Sequence, residues 1–108
     1  MKVLEYKNQT NSERGCYAIW CPACKNEHPF DKNRWKFDGN FEKPTFEPSM
    51  LIKIGPMPKG HPDEGKYDIC HSFVRGGQII YLSDCTHDLA GQTIDLPDIP
   101  EHILAGTR

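Results

Sequence analysis

The chain has 108 residues, of which 37% are hydrophobic and 26% are charged, with a net charge of −2 and a pI near 6.2. This length is typical of one domain, so we expect residues 1–108 to form a single domain. The basic residues are scattered and outnumbered by acidic ones, which argues against a nucleic-acid-binding surface. No apolar stretch approaches the roughly 20 residues that span a bilayer, and the first residues lack the apolar region of a signal peptide. We therefore expect a cytoplasmic protein without nucleic-acid or membrane partners.

The first half of the chain predicts short strands separated by turns. A strand is expected over residues 1–6, a polar loop over residues 7–14, and an alternating strand over residues 15–20. Residues 35–37 alternate ahead of Asp38-Gly39, a dipeptide that favours a tight hairpin turn.

The second half predicts one clear hairpin and two weaker strands. The segments are a strand at residues 50–54, a Pro- and Gly-rich loop at 55–66, hairpin strands at 69–74 and 79–83, a last strand at 92–96 and an unassigned tail at 97–108. Gly76 and Gly77 suit the two-residue turn of that hairpin because both positions need positive φ. The predicted fold class is mainly β, a small sheet and hairpin fold with little helix.

Five cysteines are an odd number, and a reducing compartment makes a disulfide framework a poor explanation for them. Cys16 has no metal spacing of its own, which indicates a small packing residue. Cys21-x-x-Cys24 follows a predicted strand, and two thiolates on one tight turn are the usual first half of a tetrahedral zinc site. His28, Cys70-His71 and Cys85-x-His87 are the candidates for the second half.

The hairpin register separates these candidates. Because strand side chains alternate, Cys70 and Cys85 share one face, whereas His71 and Asp84 share the other. Cys70 and His71 therefore cannot easily bind one ion. The sequence predicts a zinc knuckle formed by Cys21, Cys24 and Cys70, with His28 or Cys85 as the fourth ligand.

Two other uses of the Cys-x-x-Cys pair fit less well. A thioredoxin-like redox site needs a helix after the first cysteine, and residues 25–29 contain Pro29 and no helical period. A c-type haem needs His directly after the second cysteine, where Lys25 stands.

The face opposite Cys70 predicts a catalytic group. His71 is diagonal to Asp84 across the hairpin, within reach of a carboxylate-to-imidazole hydrogen bond. His87 is an alternative base. Among the hydroxyl groups we favour Ser49 as the nucleophile, because it follows Pro48 at the start of a strand, where the backbone is restricted.

Four motifs together resemble a known family. They are Cys21-Pro-x-Cys24, Pro44-Thr-Phe-x-Pro-Ser49, Cys70-His-x-Phe-Val74 and Asp84-x-Thr-His-x-Leu-Ala-Gly91. Over residues 20–97 the chain is similar to a family of short phage and bacterial zinc-binding proteins of unknown function. Some members are encoded beside genes for ubiquitin-like conjugation and are proposed to act as peptidases on ubiquitin-like proteins. The resemblance implies catalytic roles for Ser49, His71, Asp84 and His87. In that family the position of Cys85 is often Ser, which favours His28 as the fourth zinc ligand.

Three function classes follow. The leading hypothesis is a zinc-stabilised serine hydrolase that processes ubiquitin-like proteins or their conjugates, with the metal in a closed structural site. The competing hypothesis is a non-catalytic zinc-binding adaptor. A zinc hydrolase with His71 and His87 as ligands fits least well, because the cysteine pair suits a closed site.

Overall fold

The computed structural model describes residues 1–6 and 15–106, so the predicted loop at residues 7–14 lies outside the described residues. The strands are β1 (Leu4–Tyr6), β2 (Cys16–Cys21), β3 (Asn26–Asp31), β4 (Lys36–Phe37), β5 (Phe46–Ile54), β6 (Asp68–Arg75), β7 (Gln78–Tyr81) and β8 (Thr93–Asp95). The predicted mainly β fold is confirmed. The tail contains one short helix, α1 (Glu101–Gly106), and no helix in the described part of the chain is long and apolar enough to cross a membrane.

The strands form two antiparallel sheets. One sheet has the order β1-β2-β3, and the other has the order β4-β5-β6-β7-β8. The Cys-x-x-Cys turn joins β2 to β3, so the predicted knuckle is the tip of a hairpin. The sequence did not predict β3, because this strand is polar and contains Pro29. An edge strand tolerates a proline, and β3 lies at the edge of its sheet.

The hairpin formed by β6 and β7 has the predicted register. Ser72 pairs with Tyr81 and Arg75 pairs with Gln78, while Gly76 and Gly77 have φ values of +57° and +82°. After Tyr81 the chain leaves the strand in a turn. The prediction of a strand through residue 83 is therefore too long.

The connection between β4 and β5 differs from the prediction. Asp38-Gly39 does not form a tight hairpin turn, because residues 38–45 make a longer loop. The Asp38 carboxylate accepts hydrogen bonds from the backbone N–H groups of Asn40, at 3.0 Å, and Thr45, at 3.2 Å. These side-chain contacts stabilise an open loop where a two-residue turn was expected.

Both sheets contribute to one buried cluster. Its members are Val3, Ile19, Cys21, Phe30, Phe46, Met50, Cys70, Val74, Ile79, Tyr81, Cys85 and Leu96. Phe30 of the first sheet stacks on Phe46 of the second, with ring centroids 4.2 Å apart. The cluster includes three cysteines, so sulfur atoms lie where the two sheets meet. Cys16 is also buried, as predicted.

Candidate functional site

Strand β6 divides its side chains between two environments. Cys70, Ser72 and Val74 are buried, whereas His71 and Phe73 are only partly covered. This alternation follows from the period of two in a β-strand. Two clusters of reactive groups therefore lie on opposite faces of the same strand.

On the partly exposed face, His71 links a hydroxyl group to a carboxylate. Its Nε2 lies 3.3 Å from Ser49 Oγ, and its Nδ1 lies 3.0 Å from Asp84 Oδ2. A carboxylate can only accept, so Nδ1 carries a proton when Asp84 is ionised, and in neutral imidazole Nε2 is then the acceptor for the Ser49 hydroxyl. The structure thus brings together Ser49, His71 and Asp84.

The sheet positions each of these groups. Leu51 of β5 pairs with His71 of β6, and the register shifts between Phe46 and Met50, so that Ser49 lies within an irregular part of β5. Ser49 therefore lies inside β5. The expectation that it stands at the start of a strand is wrong. The Trp35 indole N–H donates to the Ser49 carbonyl at 3.4 Å.

The group is open to solvent on one side. The side chain of His71 is 24% exposed, and that of Asp84 is 54% exposed. The imidazole and the carboxylate can therefore be reached from solvent.

His87 lies elsewhere. Its ring packs edge-on against Tyr81 at 4.6 Å, and its Nδ1 accepts from the Leu89 N–H at 3.2 Å. It also approaches the sulfur atoms of Cys70 and Cys85 on the buried face. Among the described residues no hydrogen bond joins His87 to Ser49.

Four predicted metal ligands converge on the Cys70 face of β6; three of them are buried, and Cys24 is exposed. The ligating atoms of Cys21, Cys24, His28 and Cys70 all lie within 4.8 Å of one another. Three of these residues belong to the β2–β3 hairpin, and Cys70 belongs to the other sheet. An ion held by this set would connect the two sheets.

The donor set fits zinc in chemistry and in spacing. Three thiolates and one imidazole are a common structural zinc shell, and Zn–S distances of about 2.3 Å place tetrahedral sulfur atoms about 3.8 Å apart. The sulfur atoms of Cys21 and Cys70 are 3.9 Å apart. His28 is 2% exposed, and its Nδ1 is buried with no hydrogen-bond partner in the described structure. A cation is the natural partner for this concentration of donors.

The pKa values of the Cys21, Cys24 and Cys70 thiols depend strongly on one another. Hydrogen bonding from Cys70 is the main cause that lowers the pKa of Cys21 to about 3. Burial, followed by the charge on Cys21, raises the pKa of Cys24 to about 11. The hydrogen bond with Cys21 likewise raises the pKa of Cys70. A metal that binds all three sulfur atoms as thiolates must displace the protons that the raised pKa values hold on Cys24 and Cys70.

Comparison with known proteins adds a family. One protein-family model, described as BubE, bacterial ubiquitination-like system serine protease, matches residues 2–82. The chain belongs to the BubE family. The curated proteins and the solved structures contain no match to the chain. The BubE match includes Ser49, His71 and the four converging metal ligands, and it ends two residues before Asp84.

Cys85 of this BubE chain is buried and contacts the backbone of His71. Its sulfur accepts the His71 N–H at 3.2 Å and donates to the His71 carbonyl, also at 3.2 Å. Cys70, Cys85 and His87 also lie within 4.8 Å of one another, so Cys85 is close to the metal-ligand candidates as well. From the sequence, Cys85 was considered only as a metal ligand, and its contact with the His71 backbone was not predicted.

Tyr81 was also missed by the sequence analysis. Its hydroxyl lies 3.0 Å from the sulfur of Cys21, and burial, reinforced by the contact with Cys21, raises the pKa of Tyr81. The phenol therefore remains protonated and can donate to the Cys21 sulfur. The available signal was the hairpin register, which places Tyr81 opposite Ser72 on the buried face.

Proposed function

We propose that this member of the BubE family is a zinc-stabilised serine peptidase that cleaves ubiquitin-like proteins or their conjugates. The observation that carries the proposal is the continuous contact from Ser49 through His71 to Asp84. The family description supports the same reaction class. We assign the protein to the cytoplasm of a bacterial or phage system, where thiols stay reduced.

In the first half of the reaction, Ser49 is the nucleophile. His71 Nε2 accepts the hydroxyl proton as Oγ bonds to the substrate carbonyl carbon. The resulting imidazolium is stabilised by the Asp84 carboxylate, which accepts from Nδ1–H. When the tetrahedral intermediate collapses, His71 returns the proton to the leaving amine, and an acyl group remains on Ser49.

In the second half, water takes the place of the leaving amine. His71 removes a proton from that water, which attacks the acyl carbonyl. Collapse of the second intermediate breaks the bond to Oγ, and His71 protonates Ser49. The distance of 3.3 Å between Ser49 and His71 is slightly long for this transfer, but such contacts commonly shorten when substrate binds.

Zinc has a structural role in this proposal. Cys21, Cys24, His28 and Cys70 would hold it, and the ion would supply a cross-link between the two sheets. A four-ligand shell has no open position for a reacting water. Tyr81 would orient one of the thiolates, as outer-shell donors do in zinc sites.

The exposure of the His71 group supports a protein substrate. A macromolecule must present its scissile bond as an extended segment, and the open face of β5 and β6 leaves space for one. The family description names a ubiquitination-like system, so we propose a ubiquitin-like protein, fused or conjugated at its C-terminus, as the substrate.

The direct test compares Ser49→Ala with wild type on a ubiquitin-like fusion. We expect hydrolysis to fall by about 10⁴-fold or more, because the nucleophile is lost. Zinc content and melting temperature should stay unchanged, since one partly exposed oxygen is removed and no core volume is lost. Ser83→Ala is the matched control, because it removes an exposed hydroxyl beside Asp84.

Two results would overturn the proposal. Retention of activity in Ser49→Ala would exclude this serine as the nucleophile. A folded, zinc-loaded wild type that cleaves neither fusions nor conjugates would favour the non-catalytic adaptor.

A further inference from the structure

A shallow groove adjoins Ser49 on the exposed face of the larger sheet. It has a volume of about 430 Å³ and is lined by Arg34, Lys36, Glu47, Pro48, Phe73 and Arg75. Pro48 directly precedes the proposed nucleophile, and Phe73 lies two residues from His71 on the same face of β6. The groove therefore begins next to the group that would contact a scissile bond.

The charge of this groove is opposite to that of the whole chain. The chain has 13 basic and 15 acidic residues, whereas the groove has three cationic side chains and one carboxylate. Glu47 lies opposite Lys36 in the β4–β5 register, and the three cations outnumber this one carboxylate by two. Among the residues that the structure describes, no carboxylate lies within ion-pair distance of the three cations.

Arg75 is already oriented within the groove. Its guanidinium carbon lies 4.1 Å from the centroid of the Phe73 ring. Stacking on an aromatic face restricts the guanidinium, while its N–H groups lie in the guanidinium plane and can bind a carboxylate in a bidentate manner. Less side-chain entropy is then lost when a carboxylate binds.

The other side of the proposed nucleophile is different in character. Leu51 follows Ser49 by two residues in β5 and is 53% exposed. A segment that crosses Ser49 along the sheet would therefore meet cations on one side and an apolar side chain on the other. Such asymmetry fixes the direction in which an extended substrate can bind.

We propose that this groove binds acidic side chains of the polypeptide substrate, close to the bond that is cleaved. The inference rests on the proposed peptidase function, because it uses the position of Ser49 to locate the bond. Arg34 and Arg75 would be the specificity-determining residues, and Lys36 would add to the positive charge of the groove.

The first experiment measures binding without cleavage. Ser49→Ala protein is titrated against fluorescein-labelled decapeptides of Gly and Ala that carry four Glu, four Gln or four Lys residues. We expect the Glu peptide to bind at least about fivefold more tightly than the Gln peptide at low salt, and the difference to shrink at high ionic strength. In the Ser49→Ala background, Arg75→Glu should remove the preference for Glu and favour the Lys peptide.

The control is Lys59→Glu, which makes the same charge change at an exposed position outside the groove. It should leave the preference for Glu intact. Equal binding of Glu and Gln peptides, or equal effects of Arg75→Glu and Lys59→Glu, would overturn the inference. Tighter, Arg75-dependent binding of a ten-nucleotide single-stranded DNA would also overturn it, because the groove would then be a phosphate site.

The second experiment uses cleavage by the full chain. With a ubiquitin-like fusion whose flanking residues are Glu or Gln, we expect Arg75→Glu to raise KM about fivefold for the Glu substrate only, with kcat unchanged. Suppose that Ser49→Ala does not cleave, and that the wild-type KM is the same for the Glu and Gln substrates. These results would reject the groove and retain the peptidase. Cleavage by Ser49→Ala would reject the peptidase mechanism, whereas the peptide titrations would still judge the groove.

Discussion

The side chains on the two faces of β6 differ in their exposure and in the groups that they contact, although they alternate along one strand. Cys70 is 3% exposed and faces three further groups that could bind a metal ion, whereas the neighbouring His71 side chain is 24% exposed and faces Ser49 and Asp84. A closed shell suits a structural ion, and an open face suits a substrate. The adjacent residues Cys70 and His71 therefore lie in two separate clusters, because successive side chains of a strand point to opposite faces.

The largest expected effect comes from breaking the buried face. We expect Cys21→Ser and Cys70→Ser to lose both zinc and the cooperative melting transition. Structural zinc sites contribute about 10–16 kcal/mol in small peptides, which is comparable to the whole stability of a domain, about 5–15 kcal/mol. Elemental analysis and thermal melts measure the two losses.

Cys16→Ser is the control for that prediction. Cys16 is buried but lies in neither group of converging ligands, so its replacement should lower the stability by about 1–2 kcal/mol and leave zinc bound. If Cys70→Ser retains wild-type zinc content and melting temperature, the proposed ligand set is wrong.

The exposed face should respond in activity and not in folding. We expect His71→Ala to reduce hydrolysis about as deeply as Ser49→Ala, by roughly 10⁴-fold or more, because members of a catalytic unit are strongly non-additive. Zinc content should not change.

His87→Ala should show the converse, a lower melting temperature with activity within about tenfold of wild type, because it removes the ring packed on Tyr81. Steady-state kinetics and melts of both variants decide between the histidines, and the reverse pattern would make His87 the base.

The smallest effect is expected for Cys85, whose sulfur contacts the His71 backbone. Cys85→Ala removes both hydrogen bonds to the His71 backbone and should lower kcat by about tenfold, roughly 1.4 kcal/mol of transition-state energy. Cys85→Ser should recover most of this loss, because a hydroxyl both donates and accepts. Both variants should keep one zinc per chain. Loss of zinc in Cys85→Ser would instead identify this cysteine as a ligand.

Much of the molecule could be predicted from local patterns. Gly76-Gly77 between two alternating segments defined the β6–β7 hairpin, and the register that follows from this turn was enough to separate Cys70 from His71. The convergence of Cys21, Cys24 and Cys70 was suggested by zinc chemistry, since three thiolates and one further donor are a common shell.

Other features depend on contacts that no local pattern encodes. β3 was missed because edge position, and not propensity, permits Pro29 in a strand. The Asp38-Gly39 prediction failed because the Asp38 carboxylate binds backbone N–H groups of a longer loop. The position of Ser49 depends on an irregular register in β5, and the sequence alone does not specify where a register shifts.

We propose that one strand, β6, supports a closed zinc site on one face and an activated serine on the other. Native mass spectrometry of wild-type protein treated with a fluorophosphonate probe tests both halves in one sample, with peptide mapping to locate the label. We predict a species with one zinc and one probe, with the probe on Ser49, and no labelling of Ser49→Ala or of zinc-loaded His71→Ala. Folded, zinc-loaded wild type that remains unlabelled, or that is labelled at another residue, would contradict the account.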